Sequence, residues 1–430
     1  MFRKKPIGII LIIFLAACTS PQATELTDIA TQTLSLEQTA LPSATATQQP
    51  PTPTTPPTPS PSPTIPAPTA TPGPVEFLAF TMRKESGFQL SSAVLSFVYS
   101  DGSGLVSPSL FEPFYDTNLS TGKYLAWSPD GHYLAFDGAD EFIPCDLPEC
   151  YNSINYGTYI FDYLENTIIR HVVSTQTNVS WSPDSQRLVL SIHEKGDSDV
   201  DDLYILDVNS GQLKQLTSGP SNDLYPSWSP DGEWIAFTRF NPDPEIGCNV
   251  FPVISDIEQC HLGNLYMVRP DGSDLQLLYE LVFIYNIVVM DYYNAPAWSP
   301  DSEWLAFLSR NENEDEYPDI SIINVETGET ELVSGENGLE MDPTWGPKGE
   351  ILALYGSHDG NYGIYLWDLK DKNFTYLTSG TYPVWSWSGA HIAFTSANNL
   401  FVMNADGTNI VEITDETYQS KPAWQPSVQP

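Results

Sequence analysis

The sequence predicts an all-β ring of seven four-stranded blades, and three observations carry the prediction. The first is a repeated phrase. YPSWSPDGEWIAF at residues 225–237 returns as LAWSPDGHYLAF at Trp127, VSWSPDSQRLVL at Trp181, PAWSPDSEWLAF at Trp298 and PTWGPKGEILAL at Trp345. It fades to PVWSWSGAHIAF at Trp385 and ends as PAWQP at Trp424. The second is spacing: these tryptophans stand 54, 47, 70, 47, 40 and 39 residues apart, the period of an array or a closed ring. The third is that the two ends of the repeat are complementary. Phe77 to Phe80 and the turn at Asp101-Gly102-Ser103 form a unit without its Trp strand, and Trp424 is a Trp strand without its unit. Joined, they make a seventh blade whose innermost strand comes from the C-terminus, which removes the open sheet edges. Seven blades are expected, with six or eight as alternatives.

Each element of the blade has a physical reason. Ser-Pro-Asp-Gly is turn chemistry: Pro presets φ, Asp bonds nearby backbone, and Gly takes the left-handed conformation. The apolar triplet that follows, as in Ile235-Ala236-Phe237, is a short buried strand. A third strand such as Leu203 to Leu206 leads to a turn such as Asn209-Ser210-Gly211, and a fourth such as Leu213 to Leu216 closes the blade. Four short antiparallel strands per 40–50 residues is the architecture of a β-propeller blade.

These phrases resemble the TolB-like (WD-like) β-propeller repeat family, whose signature is W-S-P-D-G-x-x-I-A-F followed by an L-Y-x-x-x-x-D-G hairpin. The resemblance covers about residues 75–426. It implies the fold, and it leaves function open, because one fold hosts many activities.

The domain organisation is read in chain order. Residues 1–18 are a secretory signal: Arg3, Lys4 and Lys5 precede an apolar run from Ile7 to Leu15. The ending Leu15-Ala16-Ala17-Cys18 resembles a bacterial lipobox, which implies Cys18 as the lipid-bearing first residue of the mature chain. Residues 19–74 are a Thr, Pro, Ser and Ala linker with too little apolar content to fold. As polyproline it reaches roughly 170 Å, enough to lift a domain off a membrane. Residues 75–430 form the propeller. The only membrane contact expected is the lipid anchor, and a monomer is expected.

Charge narrows the partners. The formal net charge is −38, and loss of the three signal cations leaves −41. Such a chain repels nucleic acid and anionic headgroups. Beyond Cys18 the cysteines fall in two local pairs, Cys145 with Cys150 and Cys248 with Cys260, each inside one insertion. In an exported chain two local disulfides are expected.

The insertions point to function. Loops between second and third strands share a face with the blade-to-blade connections, and there they swell at about 138–157, 192–202, 239–263, 279–296 and 310–318. Short turns dominate the other face. Loops that grow on one side of a rigid scaffold are where binding usually lives. Candidate ligand or partner residues on that side are His193, Arg239 and Arg310, together with Tyr225, Tyr292, Tyr293 and Tyr382 as an aromatic rim. Salt bridges to local acids and packing between blades are the alternative uses of these side chains. Asp197, Asp199 and Asp201 offer carboxylates for a Ca²⁺ ion. Asp202 occupies a position that recurs as Asn264, Asp319 and Asn399, which reads as structural.

No catalytic residue is assigned. There is no Gly-x-Ser-x-Gly elbow, no His-Glu-x-x-His and no Gly-rich phosphate loop. The six histidines are scattered over different units, and His132 and His391, which follow Trp turns, are expected in solvent. The reading is a surface-tethered, non-enzymatic binding or scaffolding module for a protein or a cell-wall or glycan partner, without a required cofactor. The alternative is a metal-assisted, polysaccharide-active propeller enzyme, which needs histidines to converge in the central channel; His193 and His358 are the pair whose repeat positions suit that.

Overall fold

The computed structural model describes residues 75–84, 92–107, 114–115, 124–139, 156–173, 179–194, 200–240, 262–283, 295–309, 319–333, 340–358, 360–414 and 421–426. All lie in one compact unit, Ala70–Pro430. Among the described residues every regular element is a strand, and 28 strands build seven antiparallel blades of four. Blade 1 is split as the repeat predicts: Ala423–Trp424 pairs with Phe77–Lys84, with Leu78 opposite Trp424 and Ala79 opposite Ala423. A bridge between Val282 and Ser309 joins the outer strand of blade 4 to blade 5.

The first strands of the blades are Leu125–Trp127, Val179–Trp181, Asn222–Trp228, Ala297–Trp298, Met341–Trp345, Thr381–Trp385 and Ala423–Trp424, for blades 2 to 7 and then 1. Each touches the next, and the last touches the first, so they line the centre of a closed ring. The outer strands face water, as at Leu213–Gln215, where all three residues are exposed.

The core lies in layers between blades. Ala135 and Ile160 of blade 2 pack on Trp181, Leu188 and Leu206 of blade 3. Leu78, Phe80 and Val98 of blade 1 pack on Ala393, Leu400 and Val402 of blade 7, which closes the ring with the same chemistry. The indoles add a directed link. Trp127, Trp181, Trp298, Trp345 and Trp424 donate Nε1–H to the carbonyls of Ala423, Ala126, Ser227, Ala297 and Val384 at 2.9–3.1 Å. Every acceptor is the residue just before the tryptophan of the preceding blade. A buried N–H left without such an acceptor would cost its desolvation, so the repeated phrase carries its own inter-blade fastening.

The turn after each tryptophan is equally regular. In blade 4 the Ser229 hydroxyl donates to Asp231 at 2.6 Å and accepts from the Trp234 amide, while Asp231 accepts from the Glu233 amide. Ser128, Ser182 and Ser299 repeat the pattern with Asp130, Asp184 and Asp301. Gly131 and Gly232 sit at φ near +70° to +78° there. Where serine replaces that glycine, at Ser185 (φ 60) and Ser302 (φ 63), its hydroxyl accepts from the amide of Asp130 or Asp231 in the preceding blade at 3.0 Å.

The two histidines on this face are less solvated than their position suggested. His391 lies 2.7 Å from Glu76, with only 12% of its side chain exposed, and so ties blade 7 to blade 1. His132 lies 3.1 Å from Asp162. Each faces a carboxylate that enters from a different part of the chain.

Candidate functional site at the channel mouth

The first strands run toward the Ser-Pro-Asp-Gly turns, so their starts lie at the opposite end of the channel, beside the second-to-third loops. Three residues before each tryptophan, roughly 10 Å back along the strand, the repeat carries a residue that differs from blade to blade. The described ones are Tyr124, Tyr225, Ala295, Asp342, Tyr382 and Lys421.

At Tyr225, Asp342 and Tyr382 the backbone is left-handed, with φ of 57°, 57° and 56°. Each precedes a proline, and each sits where the pairing with the second strand slips: between Leu224 and Ser227, Met341 and Thr344, Thr381 and Val384. Proline brings no amide to the ladder, so the strand bulges and the preceding side chain is re-aimed. A non-glycine residue held at positive φ stores strain, and such residues cluster at functional sites.

What the bulge presents differs. Tyr225 is 1% exposed and packs with Leu224, Phe240 and Ala295, so it is core and not a surface rim. Tyr382 is half-buried. Asp342 is 1% exposed, and neither carboxylate oxygen has a hydrogen-bond partner. Burial pushes its carboxyl up to about 7, against the opposing pull of Lys421. Lys421 belongs to blade 1 and Asp342 to blade 6, two blades round the ring, so the two groups sense each other across the mouth. Burial in turn lowers the Lys421 amine, and Asp342 partly restores it. At Tyr124 burial pushes the phenol up, the Asp137 carboxylate adds to that, and the hydroxyl donates to the Val179 carbonyl.

Arg239, His193 and His358, also at this end, each face a carboxylate of their own blade. Arg239 makes a bidentate bridge to Asp223, 2.7 Å at both contacts, with 15% of the Arg side chain and 1% of the Asp exposed. Its guanidinium lies 5.1 Å from the centre of the Tyr266 ring. That geometry leaves Arg239 as a strut and not an anion hook. His193 lies 3.5 Å from Asp201, and His358 lies 3.2 Å from Glu340. Asp201 is 4% exposed, and its amide donates to Asn222. The Asp202 position is structural: Asp202 accepts from Gln215, and Asn399 donates to Glu412, each linking a third strand to a fourth. No group of three or more His, Cys, Asp or Glu stands at metal-holding geometry among the described residues.

Cys18, Cys145, Cys150, Cys248, Cys260, Asp197, Asp199, Tyr292, Tyr293 and Arg310 lie outside the described residues. Sequence reasoning missed Asp342 and Lys421. Their signal is alignment: both precede proline at the repeat position that also gives Tyr225 and Tyr382. On the turn face, an open hollow of about 430 Å³ is lined by Arg187, Lys214, Glu233, Arg269 and Asp271. Its arginines are already neutralised, Arg269 by Glu233 at 2.6 Å and Arg187 by Asp184 at 2.9 Å.

The sequence matches the TolB beta propeller domain family over residues 158–241 and 265–429, well over half of its length. The chain belongs to that family. Among curated relatives, it is 39% identical over 96 residues to the Tol-Pal system protein TolB of Alcanivorax borkumensis, 21% of this chain and 22% of that protein. It is 24% identical over 182 residues to an uncharacterized protein of Agrobacterium fabrum, 40% of this chain and 52% of that one. The chain thus spans about half or less of the curated relatives it matches. An oligogalacturonate lyase from Vibrio parahaemolyticus superposes with a TM-score of 0.52 at 12% identity, over 79% of this chain and 84% of the lyase. A second oligogalacturonate lyase structure, in complex with manganese, gives 0.51 at 13% identity, over 79% and 84%. At such identities the likeness establishes the fold alone.

Proposed function

We propose that this TolB-family propeller is a non-enzymatic binding or scaffolding module, exported and held outside the cytoplasm, that engages a protein partner at the channel mouth. One observation carries the reading: the first strands are alike at their tryptophan ends, while the mouth end presents different residues in bulged, left-handed backbone, among them a buried carboxylate without a partner. Strain and an unsatisfied acid are costly in a scaffold and useful in a site. The relative in the Tol-Pal system supports an extracytoplasmic setting. In this reading residues 1–18 export the chain and Cys18 carries its lipid, residues 19–74 act as a spacer, and residues 75–430 bind. The cysteine pairs would brace the insertions on the binding face.

The pairing of His193 and His358 with carboxylates of their own blades supports binding over a histidine-metal polysaccharide chemistry. The test is site-specific photo-crosslinking of the full chain in the cell that makes it. A crosslinker at Tyr382, on the mouth, is expected to give a discrete protein adduct, and one at Glu303, on the turn face, none. Adducts at Glu303 alone, or at neither position, would overturn the proposal.

A further inference from the structure

We propose that the channel mouth receives a lysine side chain of the protein partner, whose ammonium group docks on the carboxylate of Asp342. This rests on the reading of the mouth as the partner face and adds the chemistry of recognition.

Geometry comes first. Asp342 lies in an innermost strand, its side chain re-aimed by a bulge, with Tyr382 at the equivalent position of the next blade and Lys421 at that of the blade after. Both carboxylate oxygens lack a donor, and 1% of the residue is exposed. A buried acid in that condition is stabilised most by a donor that brings a positive charge with it. Lys421 is near enough to be felt electrostatically, yet no hydrogen bond joins it to Asp342.

The enclosure of the carboxylate selects the donor. A carboxylate so enclosed admits a slim group, and an ammonium on a four-carbon stem is the slimmest cation that proteins present. Arginine's planar fork and the ring of an amino sugar are both broader. Tyr355 senses the Asp342 charge from the adjacent strand, and Tyr382 holds the equivalent position of the next blade; a methylene stem packs on rings of this kind. The net charge of −38 draws cationic partners toward the chain over longer range.

The experiment is calorimetric titration of the full chain with Nα-acetyl-lysine methylamide. Controls are the norleucine analogue, which has the stem without the charge, and glucosamine, which has the charge on a ring. Saturable binding of the lysine probe is expected, with both controls at least about tenfold weaker. Asp342→Asn is expected to weaken the lysine probe by at least about tenfold, and Lys421→Met to tighten it by removing a rival cation. Circular dichroism confirms that each variant is folded. No saturable binding to the wild-type chain, equal binding to Asp342→Asn, or glucosamine binding as tightly as the lysine probe would each overturn the proposal. Loss of binding in Lys421→Met would also overturn it, because Lys421 would then be supporting the site and not competing with the probe. A silent titration with crosslinks still forming at Tyr382 would sink the lysine and leave the partner face standing. Lysine binding without crosslinks would do the reverse.

Discussion

The same seven strands behave in opposite ways at their two ends. At the tryptophan end the blades copy one another: in five of the seven the indole reaches back to the preceding blade, and in four serine and aspartate stitch the turn. Three residues away, at the channel mouth, the copies part into Tyr225, Asp342, Tyr382 and Lys421. The tryptophan end is where blade meets blade, so most of the indoles there answer to two sheets at once. The mouth position makes no contact common to the blades: Tyr124 bonds the Val179 carbonyl of the next blade, Tyr225 packs with Leu224, Phe240 and Ala295, and Asp342 has no hydrogen-bond partner. On the proposed reading, fold and recognition are separated along a single short strand.

The contrast can be broken most forcefully at the tryptophan end. Trp181→Ala removes a ring that is 7% exposed and its bond to Ala126, and should cost about 3–5 kcal/mol in denaturant unfolding. Tyr382→Ala at the mouth, where the ring is half-buried, should cost well under half of that. Equal losses would mean that the mouth is part of the scaffold after all.

Asp342→Asn should act with the opposite sign. The folded carboxyl titrates at about 7, against 3.8 in the unfolded chain. Between those values the folded state holds a proton that the unfolded state has released, so wild-type stability falls as pH rises through that window. The asparagine variant escapes this loss. Its advantage should be near zero at pH 4 and grow to on the order of a few kcal/mol at pH 8. A pH-independent difference between the two chains would contradict the buried, unpaired acid.

Smaller effects sharpen the picture at ring closure. Burial would raise the Glu76 carboxyl, but bonds from His391, Ser386 and Ser388 hold it below the usual range. Glu76→Gln should therefore cost roughly 1–3 kcal/mol at neutral pH. The cost should shrink as acid titrates the wild-type carboxylate, which comparison of unfolding midpoints at pH 7 and pH 3 will show. Smallest of all is Ser302→Gly. It loses the hydroxyl that meets the Asp231 amide and gains freedom at φ 63, so the net change should stay within about 0.5–1 kcal/mol.

The fold was legible in the sequence because the repeat writes its physical constraints into one phrase. Seven tryptophans, four turns of Ser-Pro-Asp-Gly or Ser-Pro-Asp-Ser, and two half-units that complete each other leave little else to build. The site was legible in outline only. Arg239 and His193 read as residues of the mouth end, but their carboxylate partners are set by strand register. Tyr225 reads as an exposed ring until the bulge turns it inward among Leu224 and Phe240. His391 meets Glu76 from 315 residues away, a contact created by ring closure. Asp342 stands out only once Lys421 is known to approach from two blades along, which no local pattern conveys.

The most direct test of the account is the protonation of one carboxyl. Aspartate labelled with ¹³C at the side-chain carboxyl, assigned by comparison with Asp342→Asn, can be followed by NMR across pH 3 to 9 in the full chain. The account predicts a midpoint near 7 for Asp342 that moves down when the lysine probe is added. A midpoint near 4 without the probe would mean that the carboxylate already has its partner, and the mouth would lose its claim to be the site.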